Sequence, residues 1–426
     1  MKNTWLKTSL ALAVSAVSTY SMANGIAINE QSVSGMGTAY AGRSSSALDA
    51  STIAGNPAGL AKLKRTEVVA GAATIKAKVD ISHSSAETSK GDMVPTSTVP
   101  FGFIATPINE DWHFGLGVYV PYGVVSDYEK GFGGRYHGQY SKVQVITVQP
   151  TLSYQINDRV SVGFGPTINR IDGKLTSMLD GTMGTATGLM DSKVNIKGDD
   201  TAVGYNLGVL VDVTDSLTWG LAYHSKVDYT LKGHTKVSGP SASPVTQIGL
   251  NGKYNASLDL TTPESIDTSV TYKLDDQWTL YGGAVWTRWS RLDSIVVESK
   301  GIAAPFNSIS EEMKWHDTWS YSIGASYQLN PQWVLRTGLA LDPSPTSNEH
   351  RNVRIPVGNR KVFSLGAGWS PSQDLTIDVA YSYIHESKAS VNQPAKPSPY
   401  GNIAPAYSAD YRNSAHGLGL QATYRF

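Results

Sequence analysis

The residues of this chain that could carry chemistry are basic side chains, since nucleophiles and metal ligands do not form a recognisable set. There is no cysteine, which excludes thiol catalysis and thiolate metal sites, and the nine histidines are scattered without metal-ligand spacing. No serine–histidine pair stands out either. Arg170, in the segment PTINRIDGKL, is a candidate for carboxylate binding, because a guanidinium pairs with a carboxylate through two parallel hydrogen bonds. The sequence therefore predicts a binding function without enzymatic activity, cofactor or metal.

The elements that must position such side chains are β-strands. In the last eleven residues, HGLGLQATYRF, the apolar residues Leu418, Leu420, Tyr424 and Phe426 share one face, and polar or small residues share the other. The same alternation recurs over residues 146–156, 205–211, 363–369 and 375–383. One such strand would fit many folds, but the repetition predicts an all-β protein.

Short turns alternate with long connections along the chain. Asn, Asp and Pro mark six short turns at 108–112, 156–159, 213–216, 274–278, 329–333 and 370–374. Long polar or Gly-rich connections lie at 127–142, 176–202, 233–253, 299–313 and 386–412. This asymmetry is typical of bacterial outer-membrane barrels. It predicts that residues 63–426 form an antiparallel transmembrane β-barrel of about 14 strands. A β-propeller or β-sandwich is the alternative, and neither explains the asymmetry.

The composition agrees with a membrane barrel. Only 16% of the residues are charged, against about 25% in a typical soluble domain, and tyrosine (22) and tryptophan (10) outnumber phenylalanine (8). Tyrosine and tryptophan suit the boundary between a membrane and water. The formal net charge is zero, with 35 basic and 35 acidic residues, so nothing indicates a nucleic-acid partner.

Residues 1–23 are predicted to be a secretory signal peptide. Two lysines precede a short apolar run over 10–17, and small residues precede a cleavage point before Asn24. A transmembrane anchor is the alternative, but the run is shorter than the roughly 18–20 residues that a membrane helix needs. We therefore expect an exported protein in the outer membrane of a Gram-negative bacterium.

Residues 24–62 are predicted to form a plug inside the barrel. They do not alternate, and they precede the first predicted strand at 66–79. A barrel of about 14 strands is wider than one that its own side chains can fill, so its lumen would be an open pore without such a segment. Within it, Asn56 can cap a helix and Pro57 suits the first helical position, so a helical turn starting at Asn56-Pro57-Ala58 would seat the plug against the wall. An ordinary Asn-Pro turn is the alternative.

The direction of Arg170 depends on its strand. Even-numbered residues from Val160 to Ile168 are apolar and typical of a lipid-facing side, so this parity turns Arg170 outward. A β-bulge near Pro166 would turn Arg170 inward, where it could bind a carboxylate. Without the bulge, Arg170 is a rim residue that contacts lipopolysaccharide.

Arg336 is expected to point into the lumen near the periplasmic end, since apolar residues on either side of it have the opposite parity. A buried charge needs a partner. Acidic residues of the plug, such as Glu30 and Asp49, are available, so we interpret Arg336 as a plug anchor rather than a substrate ligand.

Proline and glycine interrupt the strand FGLGVYVPYGVV. Pro121 and Gly123 lie in mid-strand, and Pro100 lies in the neighbouring strand. Proline cannot donate a ladder hydrogen bond, and a closed barrel has no edge to accommodate it, so strand pairing should break here. A bulge above the bilayer, without functional consequence, is the alternative.

Four motifs of this chain resemble those of the FadL-like outer-membrane transporters. They are INEQSVSGMGTAYAG (28–42), GNPAG (55–59), WVLRTGLALDPSP (333–345) and RIPVGNRKVFSLGAGW (354–369). The resemblance covers nearly all of the mature chain. It implies a 14-stranded barrel with a small N-terminal hatch, in which the Asn-Pro-Ala step is characteristic. It also implies a kinked third strand that opens the wall to the lipid, and a second cation near the fifth long loop, for which Lys314 is the nearest match.

The resemblance implies passive uptake of long-chain fatty acids, with lateral exit through the wall. The extracellular segment 176–190 carries three methionines, whose flexible side chains suit an adaptable apolar surface, so it is predicted to capture the ligand first; a mobile loop without this role is the alternative. Uptake of aromatic or other apolar hydrocarbons is the alternative in the same class, and needs no carboxylate partner. A lipase-type enzyme, a general porin, and an adhesin or phage receptor are alternatives from other classes. Outer-membrane lipids and lipopolysaccharide are the expected surroundings, and we expect a monomer.

Overall fold

The computed structural model describes residues 25–87, 89, 91–181, 190–302, 306–398 and 401–426. The predicted signal peptide lies outside these residues. The chain forms a closed antiparallel β-barrel of 14 strands, β1–β14, each of which pairs with its neighbours in sequence, and β14 closes the barrel on β1. The all-β prediction and the strand count are confirmed.

Nine spanning strands are each one continuous segment. They are β1 Glu67–Ser82, β2 Ser97–Pro107, β3 Trp112–Asp127, β4 Tyr140–Asn157, β5 Val160–Leu179, β6 Ser192–Asp212, β11 Trp333–Asp342, β12 Arg360–Trp369 and β14 Tyr407–Arg425. The other five each contain two segments. They are β7 Leu217–His224 and Val227–Ser238, β8 Gly252–Thr262 and Ser265–Lys273, β9 Trp278–Thr287 and Ser294–Ser299, β10 Ser308–Glu312 and Thr318–Asn330, and β13 Leu375–Glu386 and Ala389–Gln393.

The connections follow the predicted asymmetry, because each of the six predicted short turns joins two consecutive strands. The long connections are shorter than predicted. Strand β5 continues to Leu179 and β6 begins at Ser192, within the segment expected to be loop, and β7 continues to Ser238. The loop-side half of the barrel therefore extends as a wall of strands.

The outer face is apolar and carries aromatic pairs near the short turns. Leu418, Leu420 and Phe426 are exposed on the outside of β14, while Gln421 and Thr423 point inward and are buried. Trp112 lies against Tyr154, and Trp333 against Trp369, with ring centroids 4.7 and 6.0 Å apart. Such an aromatic girdle marks the interface of a membrane on the periplasmic side.

Residues 25–63 lie against the inner face of the barrel. They contain two short helices, α1 Val33–Met36 and α2 Thr52–Gly55, and a 3₁₀ helix, Pro57–Lys62. Helix α1 packs on β12–β14, and the 3₁₀ helix packs on β3–β6. No helix in the described part of the chain is long and apolar enough to cross a membrane.

Strands β2 and β3 separate along part of their length. They pair from Gly102↔Val118 to Pro107↔His113, and the described residues show no pairing between Ser97–Phe101 of β2 and the rest of β3. A bulge at Val120 and Pro121 shifts the register of β3 on β4. The strand pairing therefore breaks at Pro121, and Gly123 and Pro100 border the same gap.

Candidate ligand-binding site

An apolar cavity occupies the loop-side half of the barrel. Its lining comes from many elements: Val143, Leu175, Ile196, Leu231, Leu258, Leu260, Ile295, Val297, Met313, Trp315 and Ile355 are among the residues that contribute. Inward positions of neighbouring strands carry aliphatic side chains at this level, so the cavity suits an apolar group.

Arg354 supplies a guanidinium to the wall of this cavity. It lies in the connection between β11 and β12, with its side chain 11% exposed, and its Nη1 donates to Tyr140 O, Ser141 Oγ and Thr176 O at 3.0–3.2 Å. Its Nε lies 3.3 Å from Glu311 Oε2, but this ion pair lacks hydrogen-bond geometry, and both Nε and Glu311 Oε1 are buried without a hydrogen-bond partner among the described residues.

The electrostatics of this pair follow from its burial. Burial lowers the pKa of the Arg354 guanidinium below its usual value, and the charge of Glu311 opposes the shift. A guanidinium nevertheless stays protonated in proteins. Among the described residues that line the cavity, the other charged side chain is Lys197, which is on the outer face of β6. Arg354 is therefore the cation that an anionic ligand in the cavity would meet.

The N-terminal segment forms one end of the cavity. Ile26 lines it, and Gly25 lies between the rings of Trp289 and Trp315 with φ +56°. A Cβ at Gly25 would approach the Trp315 ring to 2.6 Å, so only glycine fits this backbone and this space. The two indole rings therefore hold the start of the described chain in place.

The same segment pairs with the free edge of β3. Ile28 N donates to Pro121 O (2.9 Å), and Gly123 N donates to Ile26 O (2.8 Å). Ile28 is buried with Val99 and Val120, and these side chains fill the inner side of the gap between β2 and β3. The residues at the end of the apolar cavity thus also close the gap in the wall.

A second, more polar cavity lies on the other side of this segment. Its lining includes Glu30, Arg43, Pro121, Asp267 and Arg360. Burial raises the pKa of the Glu30 carboxyl, opposed by backbone hydrogen bonds and by the charges of Arg360 and Arg43. This cavity is polar where the first is apolar, so it is the poorer site for a hydrocarbon chain.

Arg170 does not line either cavity. Register between β5 and β6 is continuous through Pro166, so the bulge that would turn Arg170 inward is absent from this described strand pair. Arg170 shares the outer face with Phe164 and Ile168, and its Nη2 lies 2.9 Å from Asp199 Oδ2. The prediction of a luminal carboxylate partner is wrong, and the outward alternative is the one observed.

Lys314 is also outside the cavity. Its neighbours Met313 and Trp315 line the cavity, whereas Lys314, at φ +45°, lies on the exposed side and pairs with Asp293 at 3.1 Å. The alternation is regular here: Met313 and Trp315 point inward, and Lys314, between them in the chain, points outward. It is therefore not the second cation of this site.

Asn56 is fully buried and caps the 3₁₀ helix Pro57–Lys62, as the sequence predicted. Its Oδ1 accepts from Ala58 N (3.0 Å), and its Nδ2 donates to Ser44 O (2.6 Å) and to Val209 O of β6 (3.0 Å). Gly208 in the wall faces Asn56 Oδ1 so closely that a Cβ would overlap it. The amide thus joins three parts of the chain: the 3₁₀ helix, the preceding loop and the barrel.

Arg336 points inward, but its charge is paired within the barrel. Its Nη1 lies 2.6 Å from Asp378 Oδ1 of β13, and both side chains are buried. The predicted partners Glu30 and Asp49 are not its ion-pair partners in the structure. The contact with the N-terminal segment is made by the aliphatic stem, which packs on Gly37.

Replacing Arg336 by methionine is expected to destabilise the barrel by about 3–5 kcal/mol, because the Asp378 carboxylate stays buried without its partner. The double variant Arg336→Met/Asp378→Leu should recover most of this loss, since no unpaired charge remains. Urea unfolding in lipid vesicles measures both free energies. A single variant no less stable than the double variant would contradict the pairing.

The sequence did not indicate that Arg354 lines the cavity. Arg354 begins the motif RIPVGNRKVFSLGAGW, but it precedes the alternating part of that motif, so no period indicates its direction. Its arginine type and an apolar neighbour, Ile355, were the available signals. The predicted capture loop at 176–190 lies partly outside the described residues.

The barrel, its outward apolar face and its internal apolar cavity define an outer-membrane transporter of hydrophobic compounds. The chain belongs to the outer membrane protein transport protein family (OMPP1/FadL/TodX), whose model matches residues 14–426. This family consists of transport proteins rather than enzymes, and its proteins lie in the outer membrane of Gram-negative bacteria.

Individual relatives match along almost their whole length. A long-chain fatty acid transport protein of Escherichia coli O6:H1 is 28% identical over 453 residues, covering 100% of this chain and 99% of that protein. A Pseudomonas aeruginosa FadL homologue is 25% identical in its crystal structure, with a TM-score of 0.85 over 94% of this chain and 99% of that one. The Pseudomonas putida toluene transporter TodX shares the fold at 15% identity, with a TM-score of 0.67 over 92% of this chain and 97% of that one.

Proposed function

We propose that this protein takes up long-chain fatty acids through the outer membrane by passive diffusion. The observation that carries the proposal is a buried guanidinium, Arg354, in the wall of a cavity that is otherwise lined mainly by aliphatic side chains. Transfer of a hydrocarbon chain from water into the cavity is favourable by about 25 cal/mol per Å² of apolar surface buried. The carboxylate of a fatty acid can pair with Arg354, whereas a neutral hydrocarbon has no group that does so.

The ion pair with Glu311 prepares Arg354 for an exchange of partners. Without a ligand, Glu311 balances the charge of the guanidinium. Because the pair lacks hydrogen-bond geometry, an incoming carboxylate that forms two charge-assisted hydrogen bonds competes well for Arg354. Names of the matched relatives, which include long-chain fatty acid transport proteins, support the same substrate class.

The N-terminal segment is proposed to act as the hatch, over residues 24–62, and to control exit. Movement of residues 25–28 would open the end of the cavity and uncover the gap between β2 and β3 at the same time, since these residues border both. The ligand would then leave sideways past Pro121, Gly123 and Pro100 into the membrane. One barrel contains the whole route, so a monomer suffices.

Uptake of aromatic or other apolar hydrocarbons is the second candidate. The observation that favours it is the Arg354–Glu311 pair itself, which leaves the cavity without net charge from these two residues. A neutral ligand could occupy the apolar part and leave the pair undisturbed. The two candidates therefore differ in whether the ligand contacts Arg354.

Equilibrium binding to the refolded barrel tests the proposal. We expect a labelled long-chain fatty acid to bind saturably and to be displaced weakly by toluene, by a short-chain acid and by the primary alcohol of the same chain length. The alcohol is the most informative competitor, because it has the same hydrocarbon chain as the acid and lacks the charged carboxylate. Displacement by the alcohol or by toluene as effective as by the acid itself would favour the hydrocarbon candidate.

Filling the cavity provides the matching test of location. Ala256 lines it, so Ala256→Trp is expected to weaken fatty-acid binding about tenfold or more, because an overpacked site costs about 1–3 kcal/mol. Ala422→Trp, on the lipid-facing side of β14, is the matched control and should bind normally. Equal affinities of the Ala256→Trp variant and the control would place the ligand elsewhere.

A further inference from the structure

Three lysines and a histidine form a continuous row across four adjacent strands on the outside of the barrel. Strand register places Lys142 of β4 opposite Lys174 of β5, Lys174 opposite Lys197 of β6, and Lys197 opposite His234 of β7. We call these four residues the basic row. Like charges directly opposite each other on neighbouring strands are destabilising, so the row needs an explanation outside the barrel's own stability.

Three more lysines extend the row towards the loops. Lys236 of β7 lies opposite Lys253 of β8, and Lys193 follows Lys197 on the same face of β6. We call the seven residues the basic patch. They lie on the outward face of their strands, since the alternating positions between them, such as Val194, Leu231 and Val237, are buried.

The lysines of the basic patch form no ion pair with a carboxylate in the described part of the chain, although the protein pairs lysines elsewhere. Five other lysines are paired with aspartates: Lys62–Asp212, Lys78–Asp80, Lys226–Asp228, Lys314–Asp293 and Lys388–Asp410. Directly beneath the row, Asp172 and Asp199 are engaged by Arg170. The lysines of the patch therefore have no carboxylate partner among the described residues, while Asp172 and Asp199 below the row share the one charge of Arg170.

One contact fixes part of the row. The Lys174 Nζ lies 4.4 Å from the centre of the Tyr140 ring, a cation–π distance that restricts this side chain. A restricted cation loses less conformational entropy when it binds an anion. Lys174 is therefore more restricted than a surface lysine without such a contact.

The height of the row places it at the head groups of the outer leaflet. Lys142 lies twelve residues beyond Tyr154 of the periplasmic aromatic girdle in β4, about 40 Å along the strand and about 30 Å along the membrane normal at a tilt near 40°, whereas the apolar band of such a barrel is about 25 Å tall. A lysine side chain bridges several ångströms of this distance by extending towards the lipid surface. Soluble polyanions have no comparable reason to approach the barrel wall at this level.

We propose that the basic patch is a docking surface for the phosphate groups of the phosphorylated glycolipid that forms the outer leaflet of this membrane. Several phosphates on one lipid head match a row of lysines at cross-strand spacing. Binding removes the repulsion between the lysines, because each phosphate lies between two positive charges. The lipid thereby covers β4–β8 on the side where these strands extend beyond the bilayer.

Binding of bisphosphorylated lipid A to the detergent-purified full barrel, followed by native mass spectrometry, tests this surface. The variant Lys142→Gln/Lys174→Gln/Lys197→Gln is expected to bind on the order of 100-fold more weakly, since each basic residue near an anionic lipid surface contributes roughly fivefold. Lys78→Gln/Lys226→Gln/Lys388→Gln removes the same charge from lysines with carboxylate partners and should change affinity by no more than about twofold. Lipid A without its phosphates should bind the native protein as weakly as the first variant does.

Three outcomes would overturn the proposal. Equal losses in the two triple variants would reduce the effect to net charge, and displacement of lipid A by millimolar inorganic phosphate would indicate a site for free anions. The third concerns folding. In lipid-free detergent the first variant should melt no lower than the native barrel, because it loses like-charge repulsion. A lower melting temperature would mean that the lysines serve the barrel itself.

Discussion

Replacing Arg354 by methionine is expected to weaken the binding of a long-chain fatty acid about 10- to 100-fold, because a hydrogen bond to a charged group contributes about 1.5–3 kcal/mol. Binding of toluene should be unchanged, since the aliphatic lining remains. Competition binding on the refolded barrel measures both affinities. This contrast separates the two candidate substrate classes in one protein.

The matched control is Arg351→Met. Arg351 lies in the same connection, is buried, and donates to the backbone oxygens of Val357, Thr346 and Ser390, but it does not line the cavity. The Arg351→Met variant tests whether loosening of the connection between β11 and β12 is enough to weaken fatty-acid binding. If both arginine variants weakened fatty-acid binding equally, Arg354 would have a structural role and no role towards the ligand.

Removing the Glu311 carboxylate is expected to have the opposite effect on fatty-acid affinity. Glu311→Gln removes the internal carboxylate that competes for Arg354, so the variant should bind the fatty acid more tightly than the native protein does. A chain of the same length with an alcohol head should show no such gain. A weaker affinity for the acid in Glu311→Gln would show that this carboxylate positions Arg354 rather than competing for it.

The double substitution Pro121→Val/Gly123→Val is expected to lower uptake by roughly tenfold or more while the barrel still folds. Valine at position 121 restores a backbone donor and favours regular strand pairing, so β2 and β3 can close the gap. Fatty-acid binding in the apolar cavity should stay near the native value, because neither residue lines that cavity. Uptake by whole cells and binding by the purified barrel together measure the two effects.

Two prolines elsewhere in the wall provide the control for this experiment. Pro150 of β4 and Pro166 of β5 lie opposite each other, where the β4–β5 pairing is interrupted between Val148↔Ile168 and Leu152↔Phe164 without a shift in register, and each is paired on its other side. Pro150→Val/Pro166→Val should leave uptake unchanged. Native uptake by the Pro121→Val/Gly123→Val variant would mean that the ligand does not leave between β2 and β3.

Local patterns in the sequence were sufficient to predict the architecture. Period-2 alternation gives each strand one lipid-facing side, and Asn, Asp and Pro mark the turns, so the barrel, its strand count and its short turns were predictable. The cap at Asn56 was also predictable, because it depends on residues only two positions apart. The break at Pro121 followed from a missing backbone donor.

The binding site depends on tertiary structure because its residues have no period that fixes their direction. A shift of one residue in the register of β5 would turn Arg170 from the outer face to the lumen. The bulge that could cause such a shift lies in β3 rather than in β5. Arg336 of β11 forms its ion pair with Asp378 of β13, two strands away, rather than with an acidic residue of the N-terminal segment. Arg354 enters the cavity from an irregular connection, where only the packing of distant strands decides which way a side chain points.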